Sequence, residues 1–250
     1  ATSCNSYFCW GLFRMFGDRK YGSPQNAITV WKDHMVSQGF GYKLGVDLPG
    51  EKRGLIPNAQ FYDKAYRGHW NGLTVISISI GQGEILATPL QIANLGATIA
   101  NRGHFTTPHI VKEIQDAQLD SIYRHPRNTT IERRHYESVV EGMRAAATGG
   151  TCRMLSVMVP ELEACGKTGT AQKRRHDHSV FMGFAPMNQP KIAIAVYVEN
   201  GGWGATYGVP IGALMMEQYM KGKLSPENEL RAEEISNRII LYLSLIHISE

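Results

Sequence analysis

The spacing of apolar residues changes twice along the chain, and this change limits the fold more than any other feature. From Ile131 to Ala147 apolar side chains recur at helical spacing among charges, ending at two glycines. Three short, β-branched or alternating segments follow, and helical spacing returns after Pro210. We therefore predict an α+β fold in which helices sandwich a small antiparallel sheet, with strands at Glu163–Lys173, Val180–Ala185 and Lys191–Glu199.

Helix boundaries can be assigned at several places. Thr88 has an N-cap residue type, Pro89 follows at the first helical position, and Gly103 lies just past the end of the apolar pattern. The pair Ser225-Pro226 begins another charged helix, which we expect to continue to about Ile239. The first 70 residues have weak periodicity and are predicted to form short helices joined by loops.

Composition excludes several classes of function. The 250 residues are 43% hydrophobic and 19% charged, which suits one globular domain with a sizeable core. The net charge is only +4, and no basic run carries interleaved aromatic residues, so we predict no nucleic-acid partner. The apolar run Ile192–Val198 is too short to span a bilayer. We expect any signal or membrane anchor to lie outside these residues.

The cysteines do not form a recognisable metal or disulfide framework. No C-x-x-C pair occurs among the four cysteines, so neither a zinc spacing nor a disulfide-stapled small fold is indicated. Cys152 and Cys165 flank a short apolar stretch and could meet across a turn. Two buried thiols that behave as small hydrophobic groups are the favoured interpretation.

Two other short patterns are interpreted as structural. His176-Asp177-His178 lacks the third ligand that zinc requires, and the surrounding basic residues favour a solvated hairpin loop. Gly81-Gln82-Gly83 lacks the strand, third glycine and later acid of a dinucleotide-binding loop, so we interpret it as a turn before a helix. We predict neither a metal nor a cofactor.

Chemistry is indicated by Ser3-Cys4-Asn5, of the form S-x-N, and by Lys167-Thr168-Gly169-Thr170, of the form K-T-G-T on a predicted strand. Serine acyl-transferases of the β-lactamase and penicillin-binding class combine S-x-x-K, S-x-N and K-T-G. A serine hydroxyl is a weak nucleophile unless a base such as lysine lies beside it. The S-x-N residues supply a hydroxyl and an amide for proton transfer and substrate binding.

The second motif suits a substrate that ends in a carboxylate. A lysine and a threonine on one strand can bind such a group by charge and hydrogen bonding, and a backbone N–H of the strand can contribute to an oxyanion hole. Glycine at position 169 lets substrate approach the strand, where a side chain would block it.

Longer stretches of sequence resemble the class B penicillin-binding proteins, and resemble the elongation type of that class more than the division type. The resemblance covers roughly residues 1 to 240, in the order found in the family. Its blocks are Ser79–Gly83, Thr88–Gln91, Ile99–Gly103, Cys165–Gln172, Phe181–Pro186 and Val198–Gly202.

The resemblance implies a role for each motif residue. Ser3 corresponds to the proton-shuttle serine and Asn5 to the amide that holds the substrate backbone. Lys167 and Thr168 correspond to the carboxylate-binding pair, with Gly169 beside them, and Thr170 adds a hydroxyl and the oxyanion N–H. We predict that Lys167, together with Ser3 and Asn5, is a catalytic residue.

The chain departs from the family at its beginning. No serine is followed by lysine three positions later, so the nucleophile and its base are missing, together with the strands that precede them in the family. We therefore expect residues 1–240 to be the C-terminal part of an N-terminally truncated transpeptidase domain. Residues 241–250 carry no helix cap or amphipathic pattern and are interpreted as a non-native tail.

The function implied by the resemblance is peptidoglycan D,D-transpeptidation, with stem peptides ending in D-Ala-D-Ala as substrates and β-lactams as inhibitors. Partners would be the cell-wall elongation machinery, and the location would be the periplasmic face of the inner membrane. Two alternatives stay open: a serine β-lactamase, disfavoured because no E-x-x-L-N pattern lies between the two motifs, and a non-catalytic peptidoglycan-binding pseudoenzyme. A Ser-x-x-Lys upstream would distinguish a transpeptidase from the pseudoenzyme.

Overall fold

The computed structural model describes residues 5–173 and 176–240. No helix in this part of the chain combines the length and apolar character needed to cross a membrane. The helices are α1 (Asn5–Gly17), α2 (Pro24–Ser37), α3 (Ala59–Tyr66), α4 (Pro89–Ala100), α5 (Ser121–Arg124), α6 (Arg133–Gly149), α7 (Met154–Met158), α8 (Gly208–Lys221) and α9 (Pro226–Ser236). Short 3-10 helices lie at Arg19–Tyr21, Ile76–Ile80 and Pro160–Leu162.

Helix α4 begins and ends where the sequence predicts. The Thr88 side chain accepts a hydrogen bond from the Gln91 N–H, and the Gln91 side chain accepts one from the Thr88 N–H, which forms a capping box. The Gln91 amide also donates to the carbonyls of Tyr42 and Arg53. The start of α4 is therefore fixed both locally and against the loop that precedes α3.

The central sheet has three antiparallel strands in the order β3-β4-β5, as predicted from the change in period. Its strands are β3 (Cys165–Lys173), β4 (His176–Ala185) and β5 (Ile192–Val198). Two-residue strands β1 (His104–Phe105) and β2 (Arg127–Asn128), which were not predicted, form a separate pair.

Helices cover both faces of the central sheet, which confirms the predicted sandwich. On one face, a core built around Phe181 includes Leu155 of α7, Val196 of β5 and Met216 of α8. On the other face, Phe184 packs with residues of α4 and α6. A third cluster holds the first 70 residues together, with Leu12, Ile28, Tyr62, Trp70 and Val75 in its interior.

The predicted loop at His176–His178 is wrong, because these residues form the start of β4. Pairing with β3 extends from Cys165 opposite Phe184 to Lys173 opposite His176. The His178 ring is 4% exposed, accepts a hydrogen bond from the Asn200 N–H at 3.0 Å and stacks on Tyr197. Cross-strand pairing and ring packing therefore outweigh the polar character that favoured a solvated loop.

Cys152 and Cys165 are both buried and free, which confirms the interpretation as small hydrophobic groups. Burial raises the pKa of each thiol to about 11, so both stay protonated near neutral pH. Helix α9 ends at Ser236, three residues before the predicted end. The proposed non-native tail at 241–250 lies outside the described residues.

Candidate active site

A cavity of about 280 Å³ lies along the outer side of β3, between that strand and the end of the 3-10 helix Ile76–Ile80. The first residue of α1 reaches the same cavity. The wall therefore combines residues from the helical region with residues from the sheet. They are Asn5, Ile80, Gln82, Lys167, Thr168, Gly169 and Thr170.

Asn5 and the predicted K-T-G-T motif therefore meet in three dimensions. Asn5 and Lys167 are 162 positions apart in the sequence, yet both line this cavity. Helix α1 is held against the 3-10 helix, where the Ser79 hydroxyl donates to the Cys9 sulfur at 3.3 Å. Ser3 lies outside the described residues, so its predicted approach to Lys167 stays a prediction.

Lys167 is a partly buried cation with unused capacity to bind an anion. Its Nζ donates to the Thr168 carbonyl at 2.6 Å, and no carboxylate in the described residues forms an ion pair with it. Desolvation lowers the pKa of Lys167 below its ordinary value of 10.5. A carboxylate that entered the cavity would supply the missing counter-charge.

Thr168 and Gly169 also line this cavity. The Thr168 hydroxyl donates to the Thr151 hydroxyl at 2.9 Å, a contact between β3 and the turn after α6 that the sequence did not indicate. Gly169 lines this cavity and also a neighbouring, largely apolar cavity of about 430 Å³. A peptide could therefore lie against the strand at this glycine, as its lack of a side chain suggested.

Gln82 is a site residue that the sequence interpretation missed. The turn at Gly81 is confirmed, since its φ of 73° is in the left-handed region that favours glycine. The turn directs the Gln82 amide across the cavity, where it donates to the Thr170 carbonyl at 3.2 Å. A polar residue between two glycines was the only sequence signal for this role.

The part of the site that the structure describes contains no grouping suited to a metal. Among residues 5–173 and 176–240, no cluster of three or more His, Cys, Asp or Glu side chains could hold an ion. The polar side chains that line the cavity carry two amides, one ammonium and two hydroxyls. Amide N–H groups, hydroxyls and an ammonium can all donate hydrogen bonds to a carboxylate.

Comparisons with known proteins identify the family of this chain. The family model of the penicillin binding protein transpeptidase domain matches residues 1–221. The chain is 34% identical over 228 residues to the peptidoglycan D,D-transpeptidase MrdA of Acinetobacter baumannii, a match that covers 82% of this chain and 33% of that protein. The chain thus spans about a third of the length of this relative.

Solved structures of penicillin-binding protein 2 (PBP2) have the same fold. Pseudomonas aeruginosa PBP2, in complex with WCK 5153, superposes with a TM-score of 0.73 at 32% identity, covering 89% of this chain and 47% of that chain. Helicobacter pylori PBP2 in complex with MreC gives a TM-score of 0.69 at 26% identity, with coverage of 87% and 38%. With its antiparallel sheet, its K-T-G-T strand and these relatives, the chain belongs to the penicillin-binding protein transpeptidase domain family and is similar to its PBP2 members.

Proposed function

We propose that this chain forms the substrate-binding part of a serine-type peptidoglycan D,D-transpeptidase of the elongation type. The observation that carries the proposal is the meeting of Asn5 with Lys167–Thr170 around one cavity, although the two motifs are 162 positions apart. Side-chain amides, hydroxyls and an ammonium that has no ion-pair partner among the described residues suit the backbone and terminal carboxylate of a peptide.

In the proposed reaction, the donor stem peptide ends in D-Ala-D-Ala, and its carboxylate binds Lys167 and Thr168. A serine hydroxyl attacks the carbonyl carbon of the penultimate D-Ala, loses its proton to a base, and forms an ester while the terminal D-Ala leaves with a proton on its amine. Asn5 holds the donor backbone, and Ser3 passes protons. The amine of a second stem peptide then attacks the ester, which forms the cross-link and releases the serine.

The nucleophile is proposed to come from a Ser-x-x-Lys upstream of this chain in the longer protein. β-Lactams would acylate the same serine. A fluorescent penicillin should therefore label the longer protein covalently, and replacement of that serine by alanine should abolish the label. The 250-residue chain alone should take up no label.

Three results would contradict this proposal in different ways. A label on this chain that survives denaturation and disappears when one of its own serines is replaced would show that the active serine was misplaced. A longer protein that takes up no label would favour the pseudoenzyme. Rapid hydrolysis of the acyl group, without transfer to an added amine, would favour the β-lactamase.

The partners and location follow from the same proposal. The PBP2 of Helicobacter pylori has been solved with MreC, which supports a partner in the cell-wall machinery for the protein that contains this chain. A cross-linking enzyme must reach its polymer outside the cytoplasmic membrane, so we place the site at the periplasmic face of the inner membrane. Labelling of intact spheroplasts by a membrane-impermeant fluorescent penicillin tests this location.

A further inference from the structure

Thr151 lies directly behind the proposed carboxylate-binding threonine, in the turn between α6 and α7. Its hydroxyl accepts the Thr168 hydroxyl at 2.9 Å, although Thr151 is not part of the cavity wall. Thr168, in contrast, lines the cavity. One hydroxyl thus faces the ligand space, and the other supports it from the protein side.

The turn that carries Thr151 is held by backbone hydrogen bonds and by burial of its neighbour Cys152. The N–H groups of Gly150 and Cys152 both donate to the Ala146 carbonyl, at 3.1 and 2.9 Å, and the Cys152 carbonyl accepts the Leu155 N–H at 2.9 Å. Cys152 is fully buried, which anchors the residue next to Thr151 in the core. The position of the Thr151 hydroxyl is therefore set by the fold before any ligand binds.

The number of protons on the Thr151 and Thr168 hydroxyls limits which of them can donate a hydrogen bond. Each hydroxyl carries one proton and can accept hydrogen bonds, whereas a carboxylate can only accept. In the free protein the Thr168 hydroxyl donates a hydrogen bond to the Thr151 hydroxyl. To bind a carboxylate, Thr168 must turn its hydroxyl proton toward the cavity, and its oxygen can then accept a hydrogen bond from Thr151.

We infer that Thr151 is a positioning residue, whose hydroxyl reverses its role when a carboxylate binds and donates to Thr168. The two hydroxyls then form a chain that ends on the ligand, and each bond in such a chain polarises the next. This inference rests on the proposed function, because it assigns Thr168 to a carboxylate. The inference adds Thr151, which lies outside the two sequence motifs, to the residues of the proposed carboxylate-binding site.

The variant Thr151→Val keeps the shape of the side chain and removes the hydroxyl. We expect affinity for a terminal carboxylate to fall about 5- to 20-fold, the range that follows from one lost hydrogen bond. Thr151→Ser keeps a hydroxyl and should restore affinity to within about twofold of wild type. Thr148→Val is the matched control, since Thr148 is exposed one turn earlier and bonds only to carbonyls of its own helix.

The probe is N-acetyl-D-Ala-D-Ala, compared with its C-terminal amide. Saturation-transfer NMR measures weak binding of both to the longer protein, and melting curves verify that each variant is folded. The inference predicts that Thr151→Val weakens binding of the acid and leaves binding of the amide unchanged. Equal weakening of acid and amide, or a Thr151→Val protein that binds the acid like wild type, would overturn it.

Failure of the proposed function would give a different result. A wild-type protein that binds the acid through Thr151 but is not acylated by benzylpenicillin would refute the transpeptidase proposal and support the role of Thr151. A protein that is acylated but shows no effect of Thr151→Val would refute only the role of Thr151. A wild type with no preference for acid over amide would also refute that role.

Discussion

The two outer strands of the central sheet, β3 and β5, have the same neighbour and different side chains. In the described residues each pairs only with β4. Strand β3 presents Lys167 and two threonines to a cavity, whereas β5 consists of Ile, Val, Ala and Tyr. The comparison shows that the side chains of an outer strand decide what it can bind. Strand β3 suits a polar peptide ligand, and β5 suits a further strand.

The largest expected effect distinguishes β5 as a stabilising strand. Ile194 is 7% exposed and lies in the core cluster with Phe181 and Met216. Replacement of Ile194 by Ala should lower the free energy of unfolding by about 2 to 5 kcal/mol, through lost burial and a residual cavity. Denaturant unfolding of the longer protein measures this change. Thr170→Ala on β3 should lower the free energy of unfolding far less. If both variants lost the same stability, β5 would not be distinguished from β3 as the stabilising strand.

The next effect distinguishes β3 as the ligand-binding strand. Lys167→Ala should slow acylation by benzylpenicillin about 10- to 100-fold, because a charge-assisted contact to the carboxylate is lost. The melting temperature should change little, since Lys167 has no ion-pair partner in the described residues. Lys191→Ala, an exposed lysine just before β5, is the control. Parallel losses of acylation and stability would show that Lys167 is a structural residue.

A third effect concerns the open edge of β5. The 250-residue chain by itself should self-associate, because no second strand among the described residues pairs with the outer edge of β5. N–H and C=O groups left at such an edge beside apolar side chains can pair with a strand of another chain. Tyr197, which is 42% exposed, is the site for a blocking charge, and Tyr197→Lys should shift the sedimentation profile toward monomer. Gln172→Lys on β3 adds the same charge without this effect. A monomeric wild-type chain with a sharp melting transition would contradict the prediction.

The smallest effect is a pH dependence on the β3 side. Burial lowers the pKa of Lys167, so the ammonium loses its proton at a lower pH than an exposed lysine does. Affinity for N-acetyl-D-Ala-D-Ala should therefore fall as pH rises toward 10.5, and this fall should be absent in Lys167→Ala. An affinity that is constant up to that pH would show that the charge of Lys167 does not hold the ligand.

Local patterns predicted much of the fold. The N-cap and proline at Thr88-Pro89, the amphipathic spacing of α6 and the alternation in β5 each depend on neighbours a few residues away, and each prediction is confirmed. The strand at His176–Ala185 was predicted four residues too short. Its first residues are polar, and only pairing with β3 and packing on Tyr197 make them part of the sheet.

Some residues of the candidate site were predicted from the sequence, and others were found only in the structure. Ser3, Asn5 and Lys167–Thr170 were predicted from two short motifs and from the resemblance to class B penicillin-binding proteins. The sequence alone determined this predicted set together with the α+β pattern. Only the tertiary structure decided that Gln82 reaches Thr170 and that Thr151 supports Thr168. The physical reason is that these contacts join residues from different elements, and a hydrogen bond between distant segments leaves no periodicity in the sequence around it.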